Sequence, residues 1–233
     1  MVNEQLYFDK LLSNFSKFNL IAILVLILIS IYKKSWKIKE LRIFTIYLIL
    51  ILFIDSIISF SADIVRNYYS FFENFLLKFK IDNTHFLTIF HYLTEILFLG
   101  LYFSKILKNK NIVSITIIYF ISAILIYFYF DDYHKFGTVN SNLLNLFDII
   151  LPITYINYFF KSKLKIKPLS NINFLISLGI LMPNLINLVF SFFAENLHFN
   201  NFPLYVKIKL ATNFIDILGY SLFAFAFIKL KKQ

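Results

Sequence analysis

Five side chains stand out of place in this sequence. Asp55, His91, Glu95, Asp148 and Asp216 each interrupt a run of Ile, Leu, Phe and Tyr. His91 and Glu95 are four apart, the spacing that puts two side chains on one helix face. An imidazole beside carboxylates can move a proton, hold a cation or anchor a polar ligand. Asn142, Asn145 and Asp148 climb in steps of three, as do Asn184 and Asn187, and Asn213 and Asp216. Amides at that spacing can orient a ligand held by the acids. They can also simply hydrogen-bond a neighbouring helix, so the Asn set alone does not decide between the two.

Most named chemistries are excluded. The chain has no cysteine, which removes disulfides, thiolate catalysis and Cys-based metal sites. It contains no GxSxG, no HExxH and no phosphate-binding loop. One His with carboxylates could take a divalent cation, but no spacing here defines a metal site. Paired carboxylates leave acid–base chemistry formally open, with no catalytic residue assignable.

The elements that carry these residues are built for lipid. The 233 residues are 59% hydrophobic and 20% aromatic, with only four Gly and four Pro. A soluble domain is closer to half apolar. Several runs reach the ~20 residues that cross a bilayer core as a helix. We expect an all-α polytopic membrane protein, a single domain over 1–233. Its seven spans are read at 18–32, 41–60, 86–104, 112–130, 141–160, 171–193 and 208–228. The first has no basic region and no small-residue cleavage site, so it reads as a retained helix rather than a signal peptide.

Charge orients the spans. The segments after the first, third, fifth and seventh spans hold 15 of the 23 basic residues, among them Lys33, Lys34, Lys108, Lys163 and Lys231, against one acid, Glu40. The opposite connections hold eight basic and eight acidic residues. The positive-inside rule then puts the N-terminus outside and the C-terminus in the cytoplasm of a bacterial inner membrane. It also accounts for the net charge of +10 without nucleic acid as a partner. In this orientation Asp55, His91, Glu95, Asp148 and Asp216 all fall in the outer half of their spans. Each mid-bilayer charge costs about 2.5–3.5 kcal/mol, so these acids must be paired, protonated, hydrated or bound. Pro152 and Pro183 stand ready to kink helices beside them.

Two further features are expected. Tyr7, Leu11, Phe15 and Phe18 form a stripe before the first span, and Val65, Tyr69, Phe72, Leu76 and Phe79 form another across 64–80. Both read as helices lying at the headgroup level, the second as an anchor or as a lid. "KIKEL" at 37–41 and "KIKPL" at 165–169 suggest a three-plus-one-plus-three repeat in parallel halves, with Glu95 matched by Asp216.

"HYLTEILFLGLYFSKIL" (91–107) and "NFIDILGYSLFAFAF" (213–227) give the chain a resemblance to uncharacterised small seven-transmembrane-helix proteins of Bacteroidota. That resemblance implies the span pattern and carries no site residues. The arrangement also resembles microbial rhodopsins, which have acids in the third and seventh helices. This sequence departs from them: Lys207 and Lys209 stand at the outer end of the last span and Lys229 at its inner end, so retinal is not expected. The repeat resembles that of SWEET and PQ-loop carriers, yet no Pro-Gln pair occurs.

The expectation is a receptor-like module that binds a small ligand or cation through Asp55, His91, Glu95, Asp148 and Asp216, oriented by Asn145, Asn187 and Asn213. Its basic loops would meet a membrane or cytoplasmic partner. The alternatives are a proton- or ion-coupled transporter, an intramembrane lipid-modifying enzyme and a structural subunit of a membrane complex.

Overall fold

Ile, Leu and Phe dominate the long runs, and lipid offers no partner for backbone N–H and C=O groups. A helix satisfies them within one segment, which overrides the weak helix propensity of Ile and Phe. The computed structural model describes residues 2–68, 71, 73, 87–129, 138–162 and 167–230. These form helices α1 (Val2–Tyr32), α2 (Lys39–Asn67), α3 (Thr88–Leu107), α4 (Asn111–Tyr129), α5 (Thr138–Lys161), α6 (Ile172–Asn200) and α7 (Phe202–Ile228). Six helices are long and apolar enough to cross a membrane, and α1 adds a shorter apolar stretch, Lys17–Tyr32.

Local chemistry sets the boundaries. Helix α3 stops where Lys108 takes a left-handed conformation (φ 52°), with Lys108 N–H donating to Lys105 O and Asn109 N–H to Ser104 O. This is the paired arrangement that closes many helices, with lysine where glycine is usual. Asn171 caps α6 by accepting from Phe174 N–H at 2.9 Å. Asn201 caps α7 by accepting from Leu204 N–H at 3.2 Å, just before Pro203 in the first turn.

Helix α2 continues to Asn67, α6 to Asn200, and α7 begins at Phe202, each about a turn or more beyond the span expected from hydropathy. Polar ends do not stop a helix whose backbone is already satisfied. The consequence is positional. Asp55 and Asp216 lie close to the middle of their helices rather than towards one end. Of the expected interfacial helix at 64–80, Val65 belongs to α2, and Tyr69, Phe72, Leu76 and Phe79 lie outside the described residues. So do His85, His134, Lys163 and Lys231. The backbone at Tyr7, Leu11 and Phe15 is part of α1.

The helices pack as a ring in chain order. α1 touches α2, α2 touches α3, α3 touches α5, α5 touches α6, α6 touches α7, and α7 returns to α1. α4 lies outside, against α3 and more lightly α5. Aromatic side chains fill the ring interior near the end where α3 and α7 finish. There Phe44 of α2 meets Tyr102 of α3 at 5.3 Å and Phe223 of α7 at 5.0 Å between ring centres. Phe44, Tyr102, Phe103 and Phe227 are fully buried.

That same end is tied by polar contacts. Ser30, Ser35 and Thr45 form a buried hydroxyl triangle joining α1, the turn and α2, with Thr45 at 2.7 Å from Ser30 and 3.0 Å from Ser35. Tyr102 donates to Asn173 at 2.9 Å and Tyr155 to Asn171 at 3.2 Å. Lys33 reaches the carbonyl of Leu230, and Lys229 that of Leu169. This half is therefore less purely apolar than expected. Hydroxyls and amides can be satisfied by one another at low cost, whereas ionised groups cannot.

Candidate functional site

Helix α2 brings Tyr47, Ile51 and Asp55 onto one face by steps of four, and α3 does the same with His91 and Glu95. Since α2 packs on α3, the two faces meet. His91 Nδ1 stands 2.7 Å from Asp55 Oδ1 and its Nε2 3.1 Å from Glu95 Oε2. Tyr47 donates its hydroxyl to Glu95 Oε1 at 2.8 Å. An imidazole held between two carboxylates, with a phenol on the second, makes a continuous hydrogen-bonded row. Exposure falls along it, from 29% at the Asp55 side chain and 26% at His91 to 14% at Glu95.

Asp148 of α5 closes this group from the opposite side. It is fully buried, and its ionisable neighbours are Glu95 and His91. Glu95 lies within hydrogen-bonding reach, so the two carboxyls can share a proton, and no N–H or hydroxyl group of another described residue donates to either oxygen of Asp148. A buried acceptor left without a donor costs roughly 1–3 kcal/mol, and more when charged. Natural structures keep few such groups, and those they keep call for an explanation. Pro152, four residues on, has no N–H to give to the Asp148 carbonyl, so the next turn adds a second acceptor without its helical donor.

A second group sits on α6 and α7. Asn187 donates to Asp216 Oδ1 at 3.3 Å, and Lys209 faces Asp216 from two turns earlier in α7. Tyr220 lies between the two groups, with Asp216, Asp55 and Glu95 as its charged neighbours. Asn142 bonds Ser191 across α5 and α6, and Asn184 returns its amide to the carbonyl of Ile180 in its own helix. Only the first of these joins two helices. Asn145 and Asn213 are buried beside Asp148 and Asp216 in sequence.

Asp55, His91, Glu95 and Asp148 thus come together, while Asp216 and Asn187 form a second pair, with Tyr220 near both groups. Three participants were missed in the sequence. Tyr47 carries the signal of lying two helical steps before Asp55. Lys209 lies seven residues before Asp216 on the same face, a signal overlooked because the lysine was read only as the outer end of the last span. Tyr220 resembles a dozen other tyrosines in this chain. Among the described residues, no three His, Asp or Glu side chains group as a metal-ligand set. A groove of about 680 Å³ on α6 and α7, lined by Leu185, Val189, Phe190, Phe193, Leu197 and Ile208, has no ionisable side chain in its walls.

Comparison with protein-family models, with curated proteins and with solved structures finds no match to this chain. It is a multi-pass membrane protein by the length and hydropathy of its helices. Function must therefore be argued from the polar group itself.

Proposed function

We propose that this protein is a receptor-like module of the bacterial inner membrane, with its N-terminus outside and its C-terminus in the cytoplasm. Its interior polar group opens outward and binds a small ligand or cation. The observation that carries this reading is Asp148, a fully buried carboxyl set against Glu95 and given no N–H or hydroxyl donor by the other described residues. Acids gathered inside a bundle are costly and mark ligand, ion or proton sites.

One-sidedness favours binding over passage. Asp55 and His91 remain partly exposed. On the other side of the group, Phe44, Tyr102 and Phe223 close the ring interior. A proton- or ion-coupled carrier would have to move that aromatic floor in every cycle. The basic connections at the floor end, including Lys33, Lys34, Lys105 and Lys108, support the orientation. They also offer a surface to a cytoplasmic partner.

The contact order supports a duplicated three-helix unit. Exchanging α1 with α5, α2 with α6 and α3 with α7 maps every contact of the ring onto another, and leaves α4 as the linker outside. The same exchange sets Asp55 and Glu95 of one half against Asn187 and Asp216 of the other.

The absence of cysteine makes the test clean. Asp55→Cys, the single thiol in the chain, is treated with a membrane-impermeant maleimide in right-side-out and inside-out vesicles. Labelling from the outer face alone is the expected result. Labelling from the cytoplasmic face alone, or from neither, contradicts an outward-facing site.

A further inference from the structure

We propose that the ligand is a small organic cation bearing several N–H groups, an ammonium or guanidinium compound, seated between Glu95 of α3 and Asp148 of α5. This rests on the outward-facing site proposed above and names the chemistry it recognises.

The site is rich in acceptors, and the donors of the Asp55–His91–Glu95 row are already committed. Both ring nitrogens of His91 are committed, to Asp55 and Glu95, and the Tyr47 hydroxyl is committed to Glu95. Apart from a proton shared with Glu95, no group among the described residues donates to the Asp148 side chain, and Pro152 withholds the helical donor from its carbonyl. A ligand that completes this site must therefore supply N–H or O–H groups rather than accept them. Charge narrows the class further. Glu95 neighbours both Asp148 and Asp216, Asp55 adds a third acid through His91, and among the described residues His91 and Lys209 are the cationic groups near them. Inside a low-dielectric bundle that excess of acid repels an anion and favours a cation.

The kind of cation follows from geometry. The described residues supply no three-residue metal-ligand set. Two carboxylates offered from separate helices suit a group with directed donors, a tripod of N–H bonds or a planar fork. Tyr47 and Tyr220 stand beside the acids and add aromatic rings to the surroundings of the site. Phe44 and Phe223 lie below as an apolar floor, so the cation is short and its remainder apolar or absent.

The test uses the purified full chain in detergent and follows thermal unfolding with ethylammonium, methylguanidinium, tetramethylammonium, potassium chloride and sodium acetate at matched ionic strength. Ethylammonium or methylguanidinium is expected to raise Tm in a saturable manner. Tetramethylammonium, which has the charge but no N–H, is expected not to. Asp148→Asn and Glu95→Gln should each weaken the apparent Kd tenfold or more, and two variants are used so that poor folding of one does not decide the matter. An equal shift with tetramethylammonium overturns the proposal, because directed N–H bonding is then not what is read. A shift with acetate or potassium alone overturns the cation class assigned here. Absence of any amine-dependent shift in the wild-type protein overturns it as well. Outer-face labelling of Asp55→Cys is independent of every one of these results, so an accessible site with the wrong ligand class is distinguished from no outward site at all.

Discussion

His91 satisfies two carboxylates at once, so its loss is felt twice. His91→Ala leaves Asp55 without its imidazole and removes one of two partners from Glu95. We expect a loss of about 1–3 kcal/mol in an unfolding titration. Tyr47→Phe removes one hydroxyl donor from Glu95 and should lower stability by less, about 1 kcal/mol. Asp148→Asn should move in the other direction. It replaces a buried acid crowded against Glu95 with a neutral isostere whose amide can donate to Glu95, so the ligand-free protein gains stability and loses binding. Each kcal/mol gained appears as about 2–4 °C in Tm for a chain of this size. Binding sites commonly trade stability for function in this way. At this scale the sequence was a good guide to the ionisable groups, because charge in an apolar run is conspicuous. It was a poor guide to Tyr47 and Tyr220, because the chain has 15 tyrosines and most have the same apolar neighbours. Which of them turns its hydroxyl inward depends on helix rotation, and only packing sets that.

Helices α6 and α7 approach more closely than side chains normally allow. A Cβ on Gly219 would lie 2.6 Å from the backbone oxygen of Gly179 and 2.9 Å from Pro183 Cγ. Pro183 has no N–H for the Gly179 carbonyl, four residues earlier, so that carbonyl is turned towards α7 without an intrahelical donor. The obstacle to a larger residue is backbone and a proline ring, neither of which can swing aside. Gly219→Ala should therefore force α7 outward and destabilise by about 1–3 kcal/mol. Gly100→Ala clashes instead with the Thr116 side chain of α4, so adding Thr116→Ala should restore most of the loss. Comparison of the single and double variants by thermal unfolding checks both expectations. Hydropathy made the existence of these helices plain and their ends poorly defined. The last turns of α2 and α6 and the first turns of α7 mix apolar residues with Asp63, Arg66, Glu195, His198 and Lys207, which blurs the hydropathy edge, yet they remain helical because the ladder runs on. The exterior position of α4 did have a signal: it has no acid or histidine and is more apolar, at a mean hydropathy of 2.3, than α3 at 1.2 and α5 at 1.5.

Over the whole molecule, a ring of six helices with a seventh outside encloses an aromatic floor at one end and a polar group near the middle. The proposed orientation puts the floor towards the cytoplasm. A green fluorescent protein fused after Gln233 should then fluoresce, and an alkaline phosphatase fused there should be inactive; the opposite pattern contradicts the orientation. The polar group matters only if acids from separate helices share one electrostatic site rather than standing apart. A double-mutant cycle with Glu95→Gln and Asp148→Asn measures this directly through the free energy of unfolding. Each substitution relieves the same repulsion between α3 and α5, so the double variant should fall short of the summed single effects by about 1 kcal/mol or more. Additivity to within about 0.3–0.5 kcal/mol, the behaviour of residues that do not interact, would contradict the shared site on which the proposed function depends.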